Sequence, residues 1–290
     1  MFCLRHVTML TAAGEAQAQD VMVENGRISA IHPTASPSEK TAAFPQLDGQ
    51  GLLLSPGFID LQLNGGFGHD FTENPSTIWQ VAAQLPQFGV TAFLPTIISA
   101  PLETVAEAQR MLANPPPQFV GATPLGLHVE GPFLNPQKKG AHQAKHVRLP
   151  DETAINNWTP AQGVRLVTLA PELPNALPLI RQLVQQGIIV SAGHSMATLE
   201  QAEAGFAAGV RYGTHLFNAM PPLQHREPGL VGALLAHQPA TLGLIADGIH
   251  VHPQLVSMVW RLAGGQRLTL VTDGMAALGM ANGRARKRVV

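Results

Sequence analysis

Only one cysteine, Cys3, stands among the 290 residues, so no internal disulfide can form and a disulfide-stapled secreted scaffold is excluded. The opening residues, MFCLRHVTML, lack both the charged start and the long apolar run of a signal peptide, and the cytoplasm is the expected compartment. Charge is scarce. Asp, Glu, Lys and Arg make up 13% of the chain and the formal net charge is −1, so no field of one sign exists to hold nucleic acid or an anionic membrane. No run approaches the roughly 18 apolar residues of a membrane span, because Pro, Gly, Gln, His or charged residues interrupt each one.

What is present is apolar and rich in turns. A hydrophobic share of 45% can bury a large core, which excludes disorder for the bulk of the chain. The 28 glycines and 24 prolines imply many tight connections without reaching low-complexity proportions. This length suits one α/β domain of about 250 residues with a small appendage, or two ordinary domains.

Residues 1–51 read as a small β domain. Val21–Glu24 and Arg27–Ile31 flank Asn25-Gly26, a pair that accepts the positive φ angles of a hairpin turn. From residue 52 to 281 the pattern changes to alternating apolar β-like and helix-like runs. Eight strands are expected, at 58–63, 91–97, 125–130, 164–170, 188–193, 210–215, 241–247 and 267–273. Helices are expected over Glu103–Ala113, Asn175–Gln186, Thr198–Ala208, Gly229–Ala236 and Pro253–Ala263. Strands apolar enough to be buried on both faces favour a closed (β/α)8 TIM-type barrel, with an open doubly wound sheet as the alternative. Against the open sheet, Gly65-Gly66-Phe67-Gly68 lacks the Gly-x-Gly-x-x-Gly spacing of a dinucleotide turn.

The end of the chain is unlike the rest. Residues 282–290 form an atypical basic tail carrying Arg284, Arg286, Lys287 and Arg288, and the eighth strand has no helix after it. A truncated or frameshifted end is the preferred expectation, with a solvated basic tail as the alternative.

In such a barrel the chemistry collects at the C-terminal ends of the strands. Those ends carry Gln62 and Asn64, Glu130, Glu172, His194, His215 and Asn218, Asp247 and His250, and Asp273. Each alone has an ordinary explanation as a helix cap or loop residue. Together, Glu130, His194 and His215 offer one carboxylate oxygen and two imidazole nitrogens around a common axis, the donor set of a catalytic divalent ion. Zn2+ suits that set best, while Fe2+, Co2+ or Mn2+ could replace it according to supply. Asp273 is placed to act as base and then acid. His69, His128, His146, His225, His237 and His252 fall off the converging set and read as surface or packing residues. Lys138-Lys139 could meet a phosphate or simply be a solvated pair.

Five words of sequence carry a resemblance. Pro56-Gly57-Phe58-Ile59-Asp60, His128-Val129-Glu130-Gly131-Pro132, Ser191-Ala192-Gly193-His194-Ser195, Thr214-His215-Leu216-Phe217-Asn218-Ala219-Met220 and Val271-Thr272-Asp273-Gly274 closely resemble the sugar-phosphate deacetylases of the amidohydrolase superfamily. The first word alone marks only the superfamily; Glu-Gly-Pro, Ala-Gly-His-Ser and His-Leu-x-Asn-Ala-Met, in this order and spacing, are highly specific. The resemblance implies hydrolysis of the N-acetyl group of N-acetylglucosamine 6-phosphate, in amino sugar metabolism. It implies Glu130, His194 and His215 as metal ligands and Asp273 as acid and base. It also implies substrate contacts from Ala141, His142, Asn218, Ala219, Arg226 and His250, with Arg226 and His250 suited to the phosphate. In similar enzymes the arginine reaches a neighbouring subunit's site, so a homodimer is expected.

Two departures from the family pattern bear on this. Gln62-Leu63-Asn64 stands where many amidohydrolases carry a His-x-His pair for a second metal, so one ion is expected. Similar proteins also continue beyond this chain, so an inactive truncated remnant remains an alternative. The other alternative is an amidohydrolase acting on a cyclic amide or an N-acyl amino acid, which would need no phosphate site.

Overall fold

A computed structural model of the chain describes residues 1–10, 14–34 and 44–281. The basic tail at 282–290 lies outside the described residues. The chain divides into two compact units, Met1–Gly57 and Phe58–Val290.

The first unit is a sheet of β1 (Phe2–Leu10), β2 (Ala16–Glu24), β3 (Arg27–Pro33) and β4 (Gln46–Asp48), in the order β3-β2-β1-β4. β1 and β2 pair antiparallel, as do β2 and β3, and β4 runs parallel to β1. Asn25 and Gly26 both take positive φ, 50° and 73°, and close the β2–β3 hairpin. Cys3, Val7, Val21 and Met22 are its buried apolar residues, Val21 and Met22 on opposite faces. Asp20 is buried among them, and its carboxylate accepts from Arg5 Nε and the His6 N–H, both at 3.0 Å, and from the Thr34 hydroxyl at 3.1 Å.

The second unit is the expected barrel. Its strands are β5 (Phe58–Leu63), β6 (Val90–Ile98), β7 (Leu127–Glu130), β8 (Val164–Leu169), β9 (Ile189–Ala192), β10 (Val210–Gly213), β11 (Thr241–Leu244) and β12 (Leu268–Leu270). Each pairs in parallel with the next. The ring closes beyond β12, where Gly274 bridges Leu63 in parallel and the Asp273 N–H donates to the Gln62 carbonyl at 2.9 Å. The buried Asp60 carboxylate fastens this seam by accepting from the Thr272 N–H at 3.2 Å and from the Thr272 hydroxyl.

Helices α1 (Ile78–Ala82), α2 (Leu102–Ala113), α3 (Ala176–Gln185), α4 (Leu199–Ala208), α5 (Gly229–Ala236) and α6 (Pro253–Arg267) connect the strands. α4 begins in a capping box, in which Thr198 and Gln201 satisfy each other's backbone N–H groups. α6 runs further than its apolar pattern suggests, with a break at Gly264, where φ is 63°. Its last residue, the buried Arg267, donates to the carbonyls of Leu234 at 2.9 Å and His237 at 3.0 Å around the end of α5, and to that of Ala240 at 3.0 Å in the loop beyond it.

Alternation of helix and strand fails in one place. Between β7 and β8 the described residues form short 3-10 turns at Pro136–Lys138, Ala144–His146, Glu152–Ile155 and Pro160–Gln162. Pro132, Pro136, Pro150 and Pro160 lack the N–H groups that a continuous helix would need.

The two-residue period of the strands builds the barrel interior in tiers. Leu61, Leu94, Leu166 and Tyr212 form an apolar tier. Two residues further along the same strands come Thr96, Thr168 and Thr214. With His128 and Ser191 they make a buried polar tier, in which His128 Nε2 meets Thr168 Oγ1 at 2.7 Å and Thr168 Oγ1 meets Thr214 Oγ1 at 2.7 Å. Burial pushes the His128 imidazole down to about 4, so the ring is neutral. Another step along β7, from His128 to Glu130, reaches the mouth of the barrel.

Candidate active site

Glu130 ends β7, and its side chain is buried. His194 follows β9 and His215 follows β10, and both are buried. The Nε2 atoms of the two rings lie 3.1 Å apart, and each lies 3.1 Å from Glu130 Oε1. Nδ1 of His194 lies 2.7 Å from the Lys138 carbonyl, which can only accept. In a neutral, metal-binding ring the His194 proton therefore sits on Nδ1, and the Nε2 lone pair faces the shared centre.

Such a convergence calls for positive charge at its centre. Burial opposes the charge on Glu130, yet hydrogen bonds and charge from His194 and His215 outweigh it and hold the carboxyl well below the usual range. Burial likewise opposes a proton on His215, and Glu130 outweighs it and raises the imidazole. A tetrahedral ion with bonds of about 2.0–2.1 Å separates its donor atoms by roughly 3.3 Å. Three separations of 3.1 Å between one carboxylate oxygen and two imidazole nitrogens fit that requirement. Among the described residues this is also the group of His, Cys, Asp and Glu side chains close enough to hold a metal ion.

Asp273 faces the same centre. Gln62 Nε2 donates to both Glu130 Oε1 and Asp273 Oδ1, each at 3.1 Å, and Asn64 Nδ2 donates to Asp273 Oδ1 at 2.6 Å. Burial, then the nearby Glu130 charge, raises Asp273 to about 6. His194, His215 and Asp273 all take positive φ, 49°, 30° and 49°. Non-glycine residues pay for that conformation, and such outliers gather where side chains must be aimed.

The centre opens into a cavity of about 250 Å3. Ala141, His142, Asn218, Ala219 and His250 line it together with Asn64, Glu130, His194, His215 and Asp273, so the structure brings these expected contacts to one cavity. Arg226 does not line it; it is exposed, on the segment leading to α5. His142 is buried, with Nε2 3.8 Å from Glu130 Oε2. Its Nδ1 accepts the Ser99 N–H at 3.1 Å, so a neutral ring carries its proton on Nε2. Burial, only partly offset by the Glu130 charge, lowers this imidazole to about 3. At the rim, His250 Nδ1 lies 2.8 Å from Asp247 Oδ2.

Several participants had no signal in the sequence. Ser99 acts on His142 through its backbone, and Lys138 on His194 through its carbonyl, while the Lys138 ammonium donates to the Met220 carbonyl at 3.0 Å. Ile98, Ile245 and Met275 supply apolar wall to the cavity. Position at a strand end could have suggested Ile98 and Ile245.

Comparison with known proteins points the same way. Residues 53–285 match the model of the amidohydrolase family. The N-acetylglucosamine-6-phosphate deacetylase of Bos taurus is 40% identical over 284 residues, covering 93% of this chain and 69% of that protein. The crystal structure of N-acetylglucosamine-6-phosphate deacetylase from Pasteurella multocida superposes with a TM-score of 0.85 at 33% identity, covering 95% of this chain and 72% of that one. A mutant N-acetyl-D-glucosamine-6-phosphate deacetylase from Mycobacterium smegmatis, in complex with N-acetyl-D-glucosamine-6-phosphate, superposes with a TM-score of 0.84 at 34% identity, covering 98% and 74% of the two chains.

Proposed function

The chain belongs to the amidohydrolase family, and from that premise we propose that it hydrolyses the N-acetyl group of N-acetylglucosamine 6-phosphate, consuming water and releasing acetate and glucosamine 6-phosphate. The observation that carries this reading is the donor triangle of Glu130, His194 and His215 with a hydrogen-bonded Asp273 beside it. Those three residues would hold one divalent ion, with Zn2+ as the leading choice and Fe2+, Co2+ or Mn2+ as substitutes. A single ion is favoured because Gln62 and Asn64, neutral amides and poor ligands, occupy the neighbouring position. Such an ion supplies Lewis acidity, making water nucleophilic at neutral pH and drawing charge from an amide carbonyl.

The chain's own groups do the rest. Asp273 takes the proton of the attacking water on its carboxylate and returns it to the departing amine nitrogen. Gln62 and Asn64 keep that carboxylate aimed. His142, neutral across the working pH range, directs its Nε2–H into the cavity, where it can donate to the carbonyl oxygen as negative charge grows there. Ala141, Asn218 and Ala219 form sugar-facing wall, and His250 with Arg226 would meet the phosphate. The exposed setting of Arg226 agrees with service to a second subunit in a homodimer. The cytoplasm is the proposed compartment, in keeping with a chain that has one cysteine. None of the described helices is long and apolar enough to cross a membrane.

Purified protein loaded with Zn2+ should release acetate from N-acetylglucosamine 6-phosphate and far less from the unphosphorylated sugar. Arg226→Ala should raise KM about 10–100-fold, the worth of a charged hydrogen bond to phosphate. Equal turnover of both sugars, with an unchanged KM in the variant, would favour a cyclic amide or an N-acyl amino acid as substrate.

A further inference from the structure

Glu172, just past the end of β8, takes no part in the reaction outlined above, yet its carboxylate is the meeting point of three hydrogen bonds. Oε2 accepts from the Ser195 hydroxyl at 2.7 Å, and Oε1 accepts from the Met196 N–H at 2.6 Å and from Asn135 Nδ2 at 2.9 Å. The first two grip the residues that immediately follow His194. The third grips the turn that orients its ring.

That turn is bound to His194 twice. The Asn135 N–H donates to the His194 carbonyl at 3.0 Å, and the Lys138 carbonyl accepts the proton on His194 Nδ1. Asn135 in turn fixes Lys138, whose N–H donates to the Asn135 carbonyl at 2.8 Å. His194 holds a φ of 49°, which a histidine keeps only when its surroundings over-determine it. One carboxylate therefore secures both the unfavourable backbone of this residue and the carbonyl that sets its tautomer.

We propose that Glu172 is a positioning residue for His194, holding its Nε2 lone pair on the metal position through a hydrogen-bonded frame. This rests on the reading of His194 as a metal ligand. A glutamine of the same shape can keep the frame: its carbonyl oxygen accepts from the Met196 N–H and Asn135, and its amide nitrogen donates to the Ser195 oxygen, whose hydroxyl turns away.

Zn2+ affinity of the full chain, measured by competition with a chromophoric chelator, tests this. Glu172→Ala should weaken Zn2+ binding about 10–100-fold, the usual cost of losing a group that orients a ligand. Glu172→Gln should restore affinity to within about threefold of the wild type. Ile180→Ala, which opens a cavity in α3 away from the site, controls for stability and should bind Zn2+ like the wild type. The absorption bands of bound Co2+ should shift in Glu172→Ala and remain in place in Glu172→Gln. Should Glu172→Ala fail to fold, Asn135→Ala cuts only the link to the turn and should lower affinity about tenfold. Wild-type affinity in the truncating variant that folds, or a loss that Glu172→Gln does not repair, overturns the proposal. If the wild type binds no Zn2+, the metal-hydrolase reading falls and this proposal falls with it.

Discussion

The side-chain amide of Gln62 donates to the carboxylate of Asp273 at 3.1 Å, linking the first strand of the barrel to the residues beyond its last. The same nitrogen donates to Glu130 Oε1, so one neutral group stands between a buried carboxylate and a half-buried one. At this strand end the chain offers hydrogen-bond donors in place of a metal-binding imidazole.

Replacing Gln62 by Leu should therefore reduce kcat while leaving the metal in place. The lost hydrogen bond to a charged acceptor is worth about 1.5–3 kcal/mol, or roughly 10–100-fold in rate. Steady-state kinetics alongside elemental analysis would show it, and a variant with unchanged kcat would remove Gln62 from the machinery.

Asp273→Asn keeps the shape of the side chain and removes its capacity to carry a proton back and forth. The expected result is a fall in kcat of about 10²–10⁴-fold with metal content preserved. Near-normal turnover would mean that another group moves the proton.

Acid should weaken the small sheet through Asp20. Burial alone would raise this carboxyl, but hydrogen bonds from the His6 N–H and Thr34, with the Arg5 guanidinium, hold it below its ordinary value. A depressed folded-state pKa stabilises above the unfolded value of about 3.9, and the contribution is lost as pH falls through the folded value. Asp20→Ala should therefore be less stable than the wild type by about 2 kcal/mol at pH 7, and the gap should narrow below about pH 4. Urea unfolding at pH 7 and pH 3 would compare the two, and a gap that is constant with pH would contradict the assignment.

Much of this architecture can be read before any coordinates. The apolar runs at 164–170 and 188–193 announce β8 and β9 because a barrel strand is buried on both faces, and the two-residue period then carries His128 and Glu130 to the same side of β7. Strand-end position put Glu130, His194, His215 and Asp273 among ten candidates, and donor chemistry narrowed them. What the pattern hides are relationships made through the backbone. Nothing in a linear sequence marks His194, His215 or Asp273 as left-handed, since those conformations are imposed by distant partners such as Glu172 and Gln62. Nor does periodicity reveal that Arg267, at the end of an exposed-looking helix, is buried against the carbonyls of another.

The central claim is that Glu130, His194 and His215 gather a single cation beside Asp273. Equilibrium dialysis of the metal-free protein against Zn2+, followed by elemental analysis, counts the ions directly in the wild type and in His215→Ala. One ion per chain in the former and none in the latter is the expected result; two ions in the wild type, or one that survives the loss of His215, would contradict it.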